Sequence, residues 1–179
     1  MTATDVLARA PRRRTAALAL VSFAAGTMDT VGFLALGHVF TSAMSGNTIL
    51  LGLSIGQGQL PAASRALAAF AGYVVGVAGA SVILKAPAHG IRRTLGVELL
   101  LLAVFAGWWT IRAGSKDPSD PYGLIALSAI AMGLQGGVGR AVRVTGATIV
   151  ITNTLTAIVG GLADRALTRR RPLASAAIW

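Results

Sequence analysis

A short stretch of this otherwise apolar sequence carries residues that could bind a ligand. In SAMSGNTILLG, residues 42–52, the hydrophobic run is interrupted by Ser45, Gly46, Asn47 and Thr48. Gly lowers helix stability by about 1 kcal/mol relative to Ala, and Ser and Asn are favoured at helix starts. The stretch therefore predicts either a helix broken inside a membrane, whose free N–H groups can bind a solute, or a continuous helix whose polar side chains bond to a neighbouring helix.

Asp29 supplies a titratable group in the apolar run that precedes this stretch. A carboxylate near the middle of a bilayer costs at least about 2.5 kcal/mol, so it needs a partner or water. We expect Asp29 to form a substrate or proton site; the alternative is a protonated or hydrogen-bonded Asp that fixes helix packing, with Thr27 or Thr30 as partner. Glu98 is the other acid in an apolar run, and because Arg93 is close to it in the sequence, we interpret it as reaching the interface.

The same polar pattern occurs a second time near the end of the sequence. Aligning Asn153 with Asn47 also places Gln135 on Asp29 and keeps a Thr after each Asn. Polar residues are rare at intramembrane positions, so their coincidence supports an internal repeat of the kind that builds transporters. We therefore expect Asp29 and Gln135 to face each other across the repeat axis. The predicted substrate-binding set is Asp29, Ser45, Gly46, Asn47, Thr48, Gln135, Thr152, Asn153 and Thr154.

Composition places these residues in a lipid bilayer. Of the 179 residues, 54% are hydrophobic and 12% are charged, against about 25% charged in soluble domains. Six apolar runs without alternation predict an all-α integral membrane protein, a polytopic helix bundle. Pairs of small residues four apart, Gly72 with Gly76 and Gly133 with Gly137, predict close helix packing. The runs cover residues 15–37, 39–56, 66–84, 94–111, 121–139 and 144–163.

The runs define one membrane domain with a basic segment at each end. Residues 1–14 form a basic cytoplasmic tail, residues 15–163 the transmembrane helical domain, and residues 164–179 a basic C-terminal segment. Within the domain, the first repeat covers about 15–113 and a partial second repeat about 121–163. The connections between runs are short and rich in Gly, Pro and Arg, which is typical of loops.

The positions of Lys and Arg discriminate between two topologies. With six full crossings and a cytoplasmic N-terminus, eleven of the 16 basic residues lie inside; if the second and sixth runs instead enter and leave on one face, thirteen lie inside. The second count fits the positive-inside rule better. Re-entrant second and sixth runs also make runs 15–37 and 121–139 antiparallel, as an inverted repeat requires. We expect a multi-pass protein of the cell membrane with its N-terminus in the cytoplasm.

The sequence carries no signature of an enzyme, a cofactor or a metal site. It has no Cys, no HExxH motif and no Walker A lysine, so we expect no catalytic residue, cofactor or metal. The net charge of +10 arises from Arg and Lys that flank apolar runs. That placement suits orientation and contact with anionic lipids rather than nucleic-acid binding. The expected partners are the lipid bilayer and an unidentified small-molecule solute, and a homo-oligomer is compatible with the sequence.

Two segments carry a resemblance to a known family. AGTMDTVGFLALGHVFTSAMSGNTILLG resembles the N-terminal signature of the YoaK family, also called domain of unknown function 1275, in which an Asp follows an Ala-Gly pair and precedes a Thr/Ser-Gly-Asn-Thr run. GLQGGVGRAVRVTGATIVITNTLT resembles its second signature, in which Gly-Leu-Gln precedes a Thr-rich Asn-Thr motif. The resemblance marks Asp29, Gly46, Asn47, Thr48, Gln135, Thr152, Asn153 and Thr154.

This resemblance implies a bacterial-type inner-membrane protein of a family described as small-molecule transporters without an established substrate. Members generally continue past residues 169–171 with further apolar sequence, so the resemblance implies a chain truncated at its C-terminus. From the residues themselves we expect the solute to be polar or zwitterionic, because the predicted site offers uncharged donors and acceptors, and transport to be proton-coupled through the titratable Asp29. The alternative is a non-transporting membrane subunit or channel-like protein whose intramembrane polar residues serve helix packing.

Overall fold

The computed structural model describes residues 12–86, 89–113, 121–142, 158–163 and 165. Most of these residues are helical and none of them forms a strand, which confirms the predicted all-α fold. The site residues predicted at 152–154 lie outside the described part. The helices are α1 (Arg12–Ala35), α2 (Met44–Gly56), α3 (Leu60–Ile83), α4 (Gly90–Ala113) and α5 (Tyr122–Ala141), and residues 158–163 are helical as well.

Three of the described helices are long and apolar enough to cross a membrane: Leu60–Ile83, Gly90–Ile111 and Tyr122–Ala141. The helix α2 differs from them because it has only 13 residues. At 1.5 Å per residue it extends about 20 Å, whereas the hydrocarbon core is roughly 30 Å thick. It therefore cannot cross the bilayer by itself.

The boundary between α2 and α3 differs from the one that the sequence predicts. Helix α3 begins at Leu60 rather than at residue 66, with Pro61 in its first turn. Proline is accepted there because the N–H that it lacks has no partner within the helix. The remaining connection is residues 57–59, and Gly58 turns the chain with a φ of 68°. Such a short connection makes α2 and α3 antiparallel neighbours.

The helices α3 and α5 form the centre of the bundle and run parallel. At their N-terminal ends the hydroxyl groups of Ser64 and Tyr122 form a hydrogen bond. Toward their C-terminal ends Arg140 Nη2 donates to Ser81 Oγ at 3.4 Å. Contacts at both ends fix the direction of one helix relative to the other.

Glycines let these two helices approach closely. A Cβ added to Gly72 would lie 2.9 Å from the carbonyl oxygen of Ala126, and one added to Gly133 would lie 2.9 Å from Gly76 Cα. Larger residues at these positions would push the backbones apart, because small residues are what allow such an approach in lipid. The predicted packing role of these glycines is confirmed.

Helix α4 runs antiparallel to α5. Near the C-terminal end of α4, the Trp108 ring lies against Gly123 at the start of α5. Near the other end of the pair, Gln135 of α5 hydrogen-bonds to Glu98 of α4. The direction of α4 is therefore opposite to that of both α3 and α5.

Helix α1 also runs antiparallel to α5. Leu36, just beyond the end of α1, shares a buried cluster with Ile125 in the first turn of α5. Ala25, further back along α1, packs against the cluster that contains Met132, further along α5. The two helices that the repeat aligns thus have opposite directions, as an inverted repeat requires.

The second apolar run enters and leaves the bundle at the same end. Arg65 Nε donates to the carbonyl oxygen of Gly37 at 3.3 Å, which places the start of α3 beside the end of α1. Met44, the first residue of α2, shares a buried cluster with Tyr73 and Val77 in the middle of α3. Helix α2 therefore begins at mid-depth and ends at the face where α1 ended. Of the sixth run, which the sequence also predicts as re-entrant, only 158–163 are described.

Candidate functional site

After α1 ends, residues 36–43 fold back along it; we call this segment the return loop. Gly37 and His38 turn the chain with positive φ angles of 88° and 63°, a conformation that Gly adopts without strain. The Val39 N–H then donates to the Gly32 carbonyl oxygen at 3.4 Å. The loop thus places non-helical backbone against α1, where each buried polar group needs a partner.

Asp29 accepts four hydrogen bonds from the return loop, two from backbone N–H groups and two from hydroxyl groups. Its Oδ1 accepts from Thr41 N at 2.6 Å, from Ser42 N at 2.7 Å and from Thr41 Oγ1 at 3.2 Å, and its Oδ2 accepts from Ser42 Oγ at 2.7 Å. Thr27 and Thr30, the partners considered from the sequence, donate instead to carbonyl oxygens of their own helix at 2.9 and 2.8 Å. A carboxylate is an acceptor group, so four donors match its hydrogen-bonding capacity.

Asn47 holds the same loop from the other side. Its Oδ1 accepts from Phe40 N at 2.9 Å, and its Nδ2 donates to Phe40 O at 2.6 Å. The Nδ2 group also lies 3.7 Å from Met44 Sδ. Only an amide side chain presents an adjacent donor and acceptor in this way. The fully buried Asn47 side chain therefore replaces the backbone partner that Phe40 would find in a regular element.

Gly46 makes room for the return loop. A Cβ added to Gly46 would lie 2.5 Å from Phe40 Cδ2, closer than real Cβ contacts. The Phe40 ring in turn stacks on Phe33 of α1 with a centroid distance of 5.4 Å. The Gly at this position thus lets an aromatic ring pack against the first turn of α2.

Ser45 and Thr48 also lie in the first turns of α2, but they differ in exposure. The Ser45 side chain is buried in the bundle, whereas Thr48 is exposed and donates through Oγ1 to the Met44 carbonyl oxygen at 3.0 Å. Ala43 stands at the N-cap, and no side chain within the described residues caps α2. The positive end of the α2 dipole therefore lies at mid-depth without a side-chain cap.

Gln135 does not hydrogen-bond to Asp29 within the described part of the chain. Its Nε2 donates to Glu98 Oε1 at 2.8 Å, while the hydrogen bonds of Asp29 go to the return loop. The structure thus has two polar clusters: the return-loop cluster of Asp29 and Asn47 with residues 40–42, and the Glu98–Gln135 pair.

The interpretation of Glu98 as an interfacial residue is wrong. Its side chain is only 5% exposed, because it shares a helix face with Thr94, four residues before it, and Phe105, seven residues after it. Both of these are buried. The helical spacing to these neighbours was the signal that could have identified Glu98 from the sequence.

An apolar cluster lies between the two polar clusters. Met44 contacts the Asn47 side chain on one side and shares the buried cluster with Tyr73 and Met132 on the other. A Cβ added to Gly136, the neighbour of Gln135, would meet the Tyr73 hydroxyl. Tyr73 thus contacts Met44 at the start of α2 through this cluster and lies beside Gly136, the neighbour of Gln135.

A metal cluster and a surface groove were the remaining candidates for a site in the described chain. Among these residues, no three of His, Cys, Asp and Glu come together to hold a metal ion. A groove between the end of α3 and the start of α4 contains none of the predicted site residues. It is lined by Val82, Ile83, Ala86, Arg93, Gly96, Val97 and Leu100.

Comparisons with known proteins agree with the membrane architecture. Residues 17–179 match the family described as "Protein of unknown function (DUF1275)". The chain is similar to the UPF0700 transmembrane protein YoaK of Bacillus subtilis (strain 168), with 32% identity over 158 residues, which cover 85% of this chain and 68% of that protein. No solved structure matches the chain. The protein therefore belongs to the DUF1275 family, and its relative YoaK is a transmembrane protein.

Proposed function

We propose that this protein moves a small polar or zwitterionic solute across the cell membrane, with the start of α2 at the transport site. The observation that carries the proposal is the re-entrant helix, which begins beside Tyr73 at the middle of α3 and ends where α3 starts. Non-helical backbone at membrane depth is tolerated where it is buried in protein or lines a water-filled cavity. Transporters use helices interrupted at the midplane to hold substrates and ions.

The first turn of α2 supplies the groups for solute binding. The N–H groups of Met44 and Asn47 donate to the carbonyl oxygens of Ser42 and Ala43. Those of Ser45 and Gly46 have no side-chain cap among the described residues, and Ser45 carries a hydroxyl group in the same turn. Together they present donors at the positive end of a helix dipole, which suits a carboxylate or another electron-rich group of a solute. Uncharged donors of this kind bind a polar solute without placing a fixed charge in the membrane.

Asp29 and Asn47 act as positioning residues in this proposal. Both are hydrogen-bonded to the return loop, and the loop sets where α2 begins. Proton coupling through Asp29 stays a prediction, and its four hydrogen bonds to the return loop support the positioning role. Its contribution to transport is to keep the uncapped helix end at mid-depth.

The basic residues orient the protein in this proposal. Lys85, Arg92 and Arg93 lie at the connection between α3 and α4, the face opposite to the return loop. The positive-inside rule places this connection and the N-terminus in the cytoplasm, where the basic side chains contact anionic lipids. The end of α2 then lies on the outer face. Transport by a single chain or by a homo-oligomer is equally compatible with this arrangement.

A second candidate is a membrane subunit without a solute cycle. It is favoured by one observation: the described hydrogen bonds of Asp29 and Asn47 are all internal and serve the packing of the loop. In that case the start of α2 would be sealed from water in every conformation. Water access to Ser45 therefore distinguishes the two candidates.

The experiment uses the natural absence of Cys from the chain. Ser45→Cys is introduced and treated with a membrane-impermeant, water-soluble thiol reagent in proteoliposomes. We expect labelling, because a transport cycle must bring water to the solute site. The matched control is Ile49→Cys, one turn later on α2, whose side chain is 71% exposed and, in this proposal, faces lipid. Ile49→Cys should stay unlabelled, since thiols ionise and react poorly in hydrocarbon.

Two further single-Cys variants report the faces of the membrane. Gln59→Cys, at the start of α3, and His89→Cys, at the start of α4, are both exposed and should label from opposite sides. A panel of amino acids and other zwitterions is then tested for protection of Ser45→Cys and for uptake. If Ser45→Cys stays unlabelled from both sides in folded protein, the transport proposal fails and the packing role is favoured.

A further inference from the structure

Glu98 is a buried acid that the proposed solute site does not use. Its Oε1 accepts one hydrogen bond, from Gln135 Nε2 at 2.8 Å. Its Oε2 is buried without a hydrogen-bond partner in the part of the chain that the structure describes. Burying an ionised carboxylate that lacks partners is among the most costly events in a membrane protein. A buried acid that raises the free energy of the fold in this way, without an evident gain in packing, is a candidate for a functional role.

We propose that Glu98 and Gln135 form a proton-exchange site in the membrane domain. In the closed arrangement of this structure, Oε2 carries a proton and the Oε1 carbonyl accepts the amide hydrogen of Gln135. When a conformational change admits water between α4 and α5, Oε2 transfers its proton to a water molecule, and the carboxylate and a hydronium ion result. Transfer from a hydronium ion to Oε2 reverses the step and restores the closed arrangement.

Gln135 is a positioning residue in this site. By donating to Oε1, its amide makes that oxygen the carbonyl oxygen of the neutral acid and leaves Oε2 as the oxygen that binds the proton. An amide does not compete for the proton, as a carboxylate or an imidazole at the same position would. The pair thus contains a single group that titrates.

The surrounding charges leave Glu98 without an adjacent counter-ion in the described residues. Besides Glu98, the titratable and charged groups on the helices that pack around it are Arg65 and Tyr73 on α3 with Lys85 just beyond its end, Arg92, Arg93 and Arg112 on α4, and Tyr122 and Arg140 on α5. Arg140 donates to Ser81 Oγ, and the Tyr73 ring lies in the apolar cluster beside Gly136. Among the described residues, protonation is therefore what neutralises the Glu98 carboxyl group.

The N-terminal end of α4 is the end of that helix nearer to Glu98. Glu98 lies about 12 Å along the axis from Gly90, where α4 begins. Thr94 is the residue one turn closer to that end on the same buried face, and its hydroxyl donates to the Gly90 carbonyl oxygen at 2.9 Å. In the proposal, water reaches the pair when α4 separates from α5 at this end.

The exchange step needs no solute and is independent of the proposed transport. If transport occurs, coupling of solute movement to this proton would rest on the proposed function. The two claims are tested separately, because the proton on Glu98 is detected by spectroscopy and the solute site by thiol labelling.

The test is infrared difference spectroscopy of the full chain in lipid vesicles. The spectrum of Glu98→Gln is subtracted from that of the unmodified protein at a series of pH values in H2O and in D2O. We expect the carbonyl stretch of a protonated carboxylic acid that is missing from the variant, that weakens as the pH rises and that shifts to lower frequency in D2O. Glu98→Gln retains an amide that can pair with Gln135, and its fold is checked by size-exclusion chromatography.

A second variant tests the geometry of the pair. Gln135→Leu removes the donor to Oε1, so the carbonyl stretch of Glu98 should shift to higher frequency while remaining sensitive to D2O. A difference spectrum with only the bands of a carboxylate at every pH would overturn the proposal. So would a protonated band that neither titrates nor shifts in D2O, because a sealed acid exchanges no proton.

Discussion

Two carboxyl groups of this bundle, that of the half-buried Asp29 and that of the buried Glu98, lie in opposite chemical surroundings. Asp29 accepts four hydrogen bonds, two from backbone N–H groups and two from hydroxyl groups of Thr41 and Ser42. Glu98 accepts one, from the amide of Gln135, and its second oxygen has no partner in the described residues. The first carboxylate is surrounded by donors that stabilise its charge, and the second is surrounded by side chains that do not.

The number of hydrogen bonds that each carboxyl group accepts distinguishes a structural role from a functional one, which the residue type alone does not. A fully satisfied buried polar network rigidifies a fold, whereas an incompletely satisfied one is costly and persists where something else requires it. We therefore assign Asp29 to the shape of the re-entrant segment and Glu98 to proton exchange. Substitutions at the two clusters should differ in their effect on stability, in an order that follows the number of hydrogen bonds lost.

The largest effect is expected for Asp29→Ala. The change leaves the N–H groups of Thr41 and Ser42 without their acceptor, and each unsatisfied buried donor costs about 1 to 3 kcal/mol. We expect a loss of about 3 to 5 kcal/mol in the free energy of unfolding and a low folded yield. Thermal unfolding in detergent, followed by the loss of the monodisperse peak in size-exclusion chromatography, measures the effect.

Thr30→Ala is the matched control for this variant. The Thr30 hydroxyl lies on the same helix one residue away, but it bonds to the Gly26 carbonyl oxygen of its own helix and is exposed. Its removal should change stability by no more than about 0.5 kcal/mol. Equal stability of Asp29→Ala and Thr30→Ala would remove the basis for calling Asp29 a positioning residue.

A smaller but clear loss is expected for Asn47→Leu. Leu has a similar size but offers no partner for Phe40 N and Phe40 O, so both backbone groups lose their hydrogen bonds. We expect a destabilisation of about 2 to 4 kcal/mol. Thr48→Val is the control, because the exposed Thr48 hydroxyl donates only to the Met44 carbonyl oxygen within α2.

Asn47→Leu can have two outcomes, and each assigns a different role to Asn47. A loss of stability without any change in Ser45→Cys labelling of the folded fraction would confine Asn47 to packing. A change in that labelling would mean that the return loop also sets the access of water to α2. Thermal unfolding and thiol labelling of the same preparation measure both quantities.

The sequence predicts the elements of the return-loop cluster but not their contacts. The polar interruption at Ser45, Gly46 and Asn47 indicates a helix start, and α2 does begin beside it, at Met44. The hydrogen bonds that Thr41 and Ser42 donate to Asp29 could not be derived from the sequence, because they form only when the chain folds back at residues 37 and 38. A positive φ at His38 has no strong signature in the sequence.

Glu98 was misplaced for a different reason. Proximity to Arg93 along the chain suggested a position at the interface, but the face of a helix is set by spacing rather than by distance in sequence. Glu98 is four residues after Thr94 and three before Leu101, and this spacing places it on the helix face that packs into the bundle. Which partner it meets there depends on the packing of α4 against α5, which no single helix encodes.

The smallest effect on stability is expected for Glu98→Gln. The change removes a group that can be charged in an apolar setting, keeps the shape of the side chain and retains an amide oxygen that can accept from Gln135. We expect the free energy of unfolding to change by less than about 1 kcal/mol, in contrast to Asp29→Ala, and the pH dependence of stability to become weaker. Thermal unfolding at several pH values compares the variant with the unmodified chain. A destabilisation as large as that of Asp29→Ala would mean that Glu98 is a packing residue as well, and the two carboxyl groups would then share one role.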